Sequence, residues 1–477
     1  MIEPTPVFFW GELRRRPVRL NTKSLPNRAC SGVWWLAMRR LTLLIVLAST
    51  FAAAQNPPEI PPQLTLSQAL NMALTNSTVL REAQARFDQA SGKYLEYRSP
   101  LIPQLNIRAH QSYLTINLLG LGLSIPGVTT GIIGPFASMD ARAILTWDLL
   151  NISNFRSWDS YRSRKDSSRS FVDDAREVVT LNVVSAYLEA LSAKASRDTL
   201  SEQKKLADDL YQLTRDRVTQ GVAAELDANR AMQQVNTLEQ KRQEAEQDYV
   251  AAKLNLANIL QAHVTSNFEV ADEAAYGSAV DQATSDRDTA VKTALASRPD
   301  YRALEQDVKA AELEVRSIKS TRLPSVKLTA TDGQSGSTPV HNGNTYSVAG
   351  SIEFPIFTGG NIRGQIQDAE GVLREARTAL DKNRSQVETD VLTAISGVEW
   401  GLKEVETSAG NVTLSRQEVD LARQRFTQGI TDNTEVVNAQ DRLAQGDNAS
   451  IRARYTLGLA RANVARAIGA AEKTYRK

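Results

Sequence analysis

The residues best suited to chemistry are few and scattered in this sequence. Its three histidines, His110, His263 and His341, lie far apart along the chain, and Cys30 is the only cysteine. This pattern contains no nucleophile paired with a base and no metal-ligand spacing. Acidic side chains are numerous, but in the helical stretches they alternate with Lys and Arg, as on a solvated helix face. The sequence therefore predicts no enzyme activity, no cofactor and no metal site.

Two short motifs place an arginine four residues before a glycine at the ends of long helical stretches. They are Arg217-Val-Thr-Gln-Gly221 and, 208 positions later, Arg425-Phe-Thr-Gln-Gly429. Helix capping accounts for both glycines, because glycine adopts the left-handed conformation that ends many helices. After the second motif, Asp432 can cap the next helix, with Glu435 three residues on as its partner in a capping box.

Other charged residues fall on stretches that alternate with a period of two. Such alternation puts apolar side chains on one face of a strand pair and charges of both signs on the other. The apolar set includes Leu105, Ile107, Leu145, Trp147, Tyr346 and Phe354. The charged set is Arg108, Asp140, Arg142, Asp148, Lys327 and Glu353. A half-buried sheet with its polar face in water is one explanation of this pattern.

The context of these hairpins favours a membrane crossing instead. Each hairpin lies between very long helices, no other strands are predicted, and strands of roughly 9–11 residues suit a tilted crossing. The aromatic residues could then lie in a girdle. One chain has only four such strands, too few to close a barrel. Several chains must therefore share one barrel if the strands span a bilayer.

These motifs are carried by a module that occurs twice. Residues 73–103 align without a gap to residues 294–324, and each copy reads as a helix, two strands and two helices. We predict a lead helix at 67–98, long helices at 153–219 and 361–427, and return helices at 224–261 and 434–468. Each long helix would reach on the order of 100 Å. Alanine-rich faces suit close packing of such helices side by side.

The N-terminal residues predict export. Met38-Arg39-Arg40 precedes an apolar run at 41–48 and small residues at 52–54, the pattern of a cleaved secretory signal. We predict a start-site extension at 1–37, a signal peptide at 38–54, a first repeat at 55–264, a connector at 265–288 and a second repeat at 289–477. Loss of residues 1–54 removes eight Lys/Arg from 56 and two Asp/Glu from 54, which changes the net charge from +2 to −4. This balance does not indicate nucleic-acid binding.

The order and duplication of these elements resemble the TolC-type outer-membrane efflux channel family. The resemblance covers Leu64 to about Ala470 and rests on the repeated order, the two Arg-x-x-x-Gly turns and three shorter segments. Those segments are Ser99–Pro103, Ser320–Pro324 and Phe354–Gly360. The resemblance implies a mainly α fold with membrane β: a homotrimer with a twelve-stranded outer-membrane β-barrel continued by a twelve-helix periplasmic α-barrel.

The same resemblance implies partners and roles for the motifs. An inner-membrane efflux pump would pass substrate through a periplasmic adaptor into the tunnel, and the barrel would contact outer-membrane lipid. The adaptor-contacting tips would be Arg217, Gly221, Arg425 and Gly429. The periplasmic constriction would involve Asp432 and Glu435. Asn438 stands where the family has a second acidic residue, so a double acidic ring is not supported.

Several alternatives remain open from sequence. The conduit could serve type I protein secretion rather than efflux of small molecules, since mixed charges on the lumen face suggest no strong charge preference. A periplasmic coiled-coil scaffold or adaptor would account for the helices and the signal, but not for two hairpins with matched faces. The apolar, Gly- and Pro-rich tip from Leu118 to Phe136 could be an interaction site, cover the barrel mouth or lie in lipid.

Overall fold

The computed structural model describes residues 59–118, 120, 122, 131–263, 265, 267–271, 286–338 and 340–476. The predicted start-site extension and signal peptide lie outside these residues. So do most of the apolar segment between 118 and 136 and most of the predicted connector. Among the helices of the described ranges, none is both long and apolar enough to cross a membrane.

Helices dominate the described residues. They are α1 (Leu66–Asn76), α2 (Thr78–Arg98), α3 (Ile152–Thr219), α4 (Glu225–Ile259), α5 (Arg287–Ser297), α6 (Pro299–Ser320), α7 (Asn361–Thr427), α8 (Asn433–Ala467) and α9 (Ala471–Tyr475). The long helices α3 and α7 have 68 and 67 residues and begin and end within one residue of the predicted bounds. The return helices α4 and α8 lie within two residues of theirs.

The predicted single lead helix is wrong, because the structure divides it into α1 and α2. Ser77 leaves the helical conformation with ψ 128°, and its hydroxyl accepts a hydrogen bond from the Leu80 N–H at 3.4 Å. The second repeat breaks at the equivalent position, 221 residues on, where Arg298 precedes Pro299. A proline at the first helical position favours a helix start and moves the preceding residue into extended conformation. The break is therefore a feature of both repeats.

The two hairpins join into one antiparallel sheet. Its strands are β2 (Gln104–Asn117), β3 (Ile132–Leu150), β5 (Ser325–Gly336) and β6 (Asn342–Glu353), in the order β2-β3-β5-β6. The strands have 12 to 19 residues, more than the roughly 9–11 that suit a tilted crossing, because backbone pairing continues into the hairpin ends. A short parallel pair, β1 (Gln63–Leu64) with β4 (Glu269–Val270), was not predicted.

The helices form two four-helix layers, one after the other along the long helices α3 and α7, which belong to both layers. Near the sheet, α3 packs between α2 and α6, and α7 packs against α6. Towards the turns at Gly221 and Gly429, α3 packs against α4 and α8, and α7 packs against α8. Shorter helices thus pack one after another along each long helix, as the helix lengths predict. The largest apolar core surrounds Val183, Tyr187 and Leu188 of α3, with α1, α4, α7 and α8 around them.

Candidate functional site: the helical turns and the charged sheet face

The two Arg-x-x-x-Gly motifs form the same turn at the ends of α3 and α7. In the first, the Gly221 N–H donates to the Val218 carbonyl and the Val222 N–H to the Arg217 carbonyl, both at 3.0 Å. The equivalent bonds occur around Gly429 at 3.1 and 3.0 Å. The glycines have φ of +71° and +73°, so both turns are Schellman caps.

Arg217 contacts the turn of the other repeat. Its Nη1 donates a hydrogen bond to the carbonyl oxygen of Phe426, and its guanidinium carbon lies 4.6 Å from the centroid of the Phe426 ring. Phe426 itself is buried against Leu210, Val419 and Val436. The cation therefore adds a second hydrogen bond to a carbonyl at the C-terminus of α7 that already accepts from the Gly429 N–H, at a place where the helix dipole favours positive charge. Arg217 thus joins the two helical hairpins.

Arg425, at the equivalent position, stays within its own repeat. Its Nη2 lies 3.6 Å from Oε2 of Glu435, and both side chains are more than a third exposed. Glu435 also accepts a hydrogen bond from the Thr431 hydroxyl. The structure thus brings Glu435 to Arg425, but it gives the two arginines different partners.

Asp432 caps α8 as predicted, but the predicted capping box is wrong. The Asp432 side chain accepts a hydrogen bond from the Thr434 N–H at 3.1 Å. Glu435 does not return a bond to the Asp432 N–H, because its carboxylate is taken by Thr431 and Arg425.

A row of polar side chains between the two helical hairpins was missed from the sequence. It links α3 and α4 to α8 through hydrogen bonds of 2.7 to 3.3 Å: Gln203 to Asp447, Gln234 to Asp441, Gln440 to the Leu206 carbonyl, and Asn433 to the Asp227 carbonyl. Within the described residues, the amide oxygens of Gln203, Asn433 and Gln440 are buried without a partner. Because unpaired buried polar atoms cost free energy, this polar row stabilises the packing of the two helical hairpins less than an apolar core would. The sequence signal for this polar row was the spacing of Asn433 and Gln440, which lie seven residues apart on one helix.

The sheet places all six predicted charged residues on one face. Directly opposite residues of antiparallel strands share a face. Arg108 lies opposite Arg142, Asp148 opposite Lys327, and Glu353 opposite Ser325, two residues from Lys327. Asp140 lies two residues before Arg142 and pairs with it through both carboxylate oxygens. The charges form two groups, one around Arg108 and one around Lys327.

The opposite face carries the predicted apolar residues, with one exception. Leu105 lies opposite Leu145, Trp147 lies opposite Leu328, and Ile107 and Tyr346 are 83% and 80% exposed in the single chain. Phe354 lies one residue beyond the end of β6. Asp332 and Gln334 share this face towards the hairpin end, so the apolar band does not cover the whole sheet.

Among the residues that the structure describes, no three His, Cys, Asp or Glu side chains form a group that could hold a metal ion. The candidate functional surfaces are therefore the charged face of the sheet and the two glycine turns.

Comparison with known proteins agrees with this architecture. The chain is 28% identical over 174 residues to the outer membrane efflux protein BepC of Brucella suis biovar 1, covering 36% of this chain and 38% of BepC. It is 22% identical over 428 residues to the outer membrane protein TolC of Escherichia coli K12, covering 85% of this chain and 82% of TolC.

The fold is also that of a solved channel. The chain superposes on the crystal structure of the Campylobacter jejuni CmeC outer membrane channel with a TM-score of 0.72 and 18% identity, over 85% of this chain and 86% of that one. A model of the family described as outer membrane efflux protein matches residues 69–261 and 290–470. Because these matches include both repeats, and so most of the sequence, the chain belongs to the outer membrane efflux protein family.

Proposed function

We propose that three copies of this chain form one duct that carries small molecules from a periplasmic adaptor and inner-membrane pump across the outer membrane. Family membership makes the chain an outer-membrane efflux channel protein. The trimer, the partners and the roles of individual residues are the proposal. Membership also favours the channel over a periplasmic scaffold.

The sheet is the observation that carries the proposal. Within the described residues β2 and β6 are edges, with backbone groups that another strand can pair. One face exposes large apolar side chains, including Ile107, Val348 and Ile352. An apolar face together with open edges is stable in a bilayer only if the edges are paired. Three four-stranded sheets joined edge to edge would pair them all and turn the charged face inwards.

The helices support the same assembly. Helix α7 exposes Trp400, Leu414 and Leu421, which are separated by multiples of seven residues and so form one stripe. Helix α4, on the other side of α3 and α8, exposes Met232 and Leu254. In a closed ring the α7 stripe of one copy would pack against α4 of the next.

The turns are the proposed adaptor contact. Val222, Leu226 and Ile430 lie at or beside the two turns and are 57–63% exposed, which forms an apolar patch suited to a partner's helical hairpin. Arg425 is exposed beside this patch, whereas Arg217 is engaged with Phe426. We therefore assign adaptor contact to Arg425 and the two glycine turns, and a structural link to Arg217.

The acidic side chains after the second turn are the proposed constriction. Glu435 is partly exposed and paired with Arg425, so its charge is partly balanced in this arrangement. Asp432 is engaged in capping α8. We therefore propose Glu435 as the principal acidic side chain of the constriction, with Asp432 acting mainly on helix geometry.

The first experiment is the mass of the detergent-solubilised particle from isolated outer membranes, corrected for bound detergent. A mass of three mature chains is expected, and the double substitution Leu414→Glu with Leu421→Glu should reduce it to one chain. The trimer should also form ion-conducting pores in planar bilayers. A wild-type monomer recovered mainly from the soluble periplasmic fraction would contradict the proposal.

A further inference from the structure

The charged sheet face concentrates positive charge at one level of β2 and β3. Arg108 lies directly opposite Arg142, and His110 directly opposite Asp140. Like charges directly opposite one another destabilise a strand pair. Two facing arginines are therefore an arrangement that sheet stability alone does not favour.

The one carboxylate in this group engages only one of the arginines. Asp140 accepts hydrogen bonds from Nε and Nη2 of Arg142. Among the described residues, no ion pair to Arg108 is formed, and its side chain is exposed. The group of Arg108, His110, Asp140 and Arg142 thus has one unbalanced positive charge when His110 is neutral.

The neighbouring strand β5 presents no side chain directly beside Arg142, whose side chain is 32% exposed. Arg142 lies opposite Gly333 of β5, and Gly333 lies opposite Thr345 of β6. A Cβ at Gly333 would lie 2.4 Å from the Cβ of Arg142, so this position excludes any side chain beside the arginine. Asp140 lies opposite Ser335, which is also small and uncharged.

The second group of charges on this face is different. Lys327 lies directly opposite Asp148, and Glu353 lies opposite Ser325, the next position of β5 on the same face. That group has no excess of positive charge. The expectation of no strong charge preference described the lumen face as a whole, whereas its two groups differ: the Arg108 group has a net positive charge and the Lys327 group a net negative charge.

We propose that Arg108 and Arg142 form an anion-binding site on the inner wall of the barrel, which takes carboxylate, sulfonate or phosphate groups of outgoing solutes. The inference rests on the proposed function, because only a closed barrel turns this face inwards. Three copies would then contribute six arginines and three aspartates. Guanidinium groups bind such oxyanions through paired hydrogen bonds, and arginine side chains line anion-conducting pores.

The test is block of single pores in planar bilayers by inositol hexakisphosphate added on the barrel side. Block of the wild-type trimer is expected, and it should weaken as ionic strength rises. Arg108→Gln and Arg142→Gln should each raise the half-blocking concentration about tenfold, since each removes a charged hydrogen-bond donor. Arg108→Lys should give a half-blocking concentration between those of the wild type and Arg108→Gln, because lysine keeps the charge but loses the paired hydrogen bonds. Lys327→Gln is the matched control, a cation removed from the same face, and should change the value less than about threefold.

The outcomes separate this site from the proposed duct. Each variant is first sized as a trimer and checked for stable pores without blocker, and block is measured relative to that variant's own open conductance. Normal pores with no block from the barrel side, or equal weakening in the Arg108→Gln and Lys327→Gln variants, would overturn the anion site and leave the duct standing. A wild-type chain that forms neither trimers nor pores would overturn both.

Discussion

Replacing Arg217 by alanine should loosen the two helical turns far more than the same change at Arg425. Arg217 bonds the Phe426 carbonyl and lies against its ring, so it crosses from one repeat to the other. Arg425 forms an ion pair with Glu435 within its own repeat. Because the two arginines occupy equivalent turns, each substitution is the matched control for the other.

The magnitudes follow from these contacts. A hydrogen bond from a charged donor contributes about 1.5–3 kcal/mol, and a cation that stays in contact with solvent while it lies over an aromatic ring contributes about 0.5–1 kcal/mol. Both contacts of Arg217 use one partly exposed guanidinium and do not add fully, so about 2 kcal/mol is a reasonable loss. That loss corresponds to about thirtyfold in the equilibrium between joined and separated turns. The exposed Arg425–Glu435 pair is worth about 0–1 kcal/mol, or at most about fivefold.

Amide hydrogen exchange measures this local opening directly. The N–H groups of Gly221, Val222, Gly429 and Ile430 are bonded to helix carbonyls and report on both turns. Arg217→Ala should accelerate their exchange about thirtyfold and Arg425→Ala at most about fivefold. Equal acceleration in the two variants would refute the assignment of Arg217 as the link between repeats.

Three further predictions concern other parts of the chain. Arg298 is buried and bridges two carboxylates, with Asp390 2.9 Å away. Arg298→Ala should therefore lower the free energy of unfolding by about 3–5 kcal/mol and bring the thermal midpoint well below that of Asp390→Asn. Similar midpoints for the two variants would contradict this. Gly221→Ala and Gly429→Ala should each lower the free energy of unfolding by about 1–2 kcal/mol, because both positions have positive φ although there is room for a methyl group. Asparagine at either position should cost less than alanine in the same unfolding measurement. Burial raises the pKa of Glu177, whose carboxylate accepts two N–H groups at the start of α9. The folded state then holds this proton more tightly than the unfolded state, so the contribution of Glu177 to the free energy of unfolding should grow as pH falls from 7 through the raised pKa. The difference in thermal midpoint between the wild type and Glu177→Gln should change with pH in this direction, and a difference that does not change over this pH range would contradict it.

Much of the fold could be predicted because long, regular elements carry strong local signals. The bounds of α3 and α7 follow from helical periodicity and from the glycines at 221 and 429, because a left-handed cap at the end of a helix favours glycine. The break at Ser77 has no strong signal of its own, because serine is common both within helices and at their starts. Its signal lies in the other repeat, in Pro299, one residue beyond the equivalent position. Two copies of one module are therefore best interpreted together, since each can hold the signal that the other has lost.

The candidate site shows the limit of the same approach. The two turns have one motif and one backbone geometry, so sequence treats Arg217 and Arg425 as a pair. They differ because position 218 is valine in the first copy and its equivalent, 426, is phenylalanine in the second. Only the second copy presents a ring, and the arginine that stacks on it comes from the first copy. Duplication conserved the caps, which depend on local backbone conformation, while one side-chain difference between the copies gave the arginines different partners. Such a contact crosses more than two hundred residues of sequence, and no local pattern in either copy predicts it.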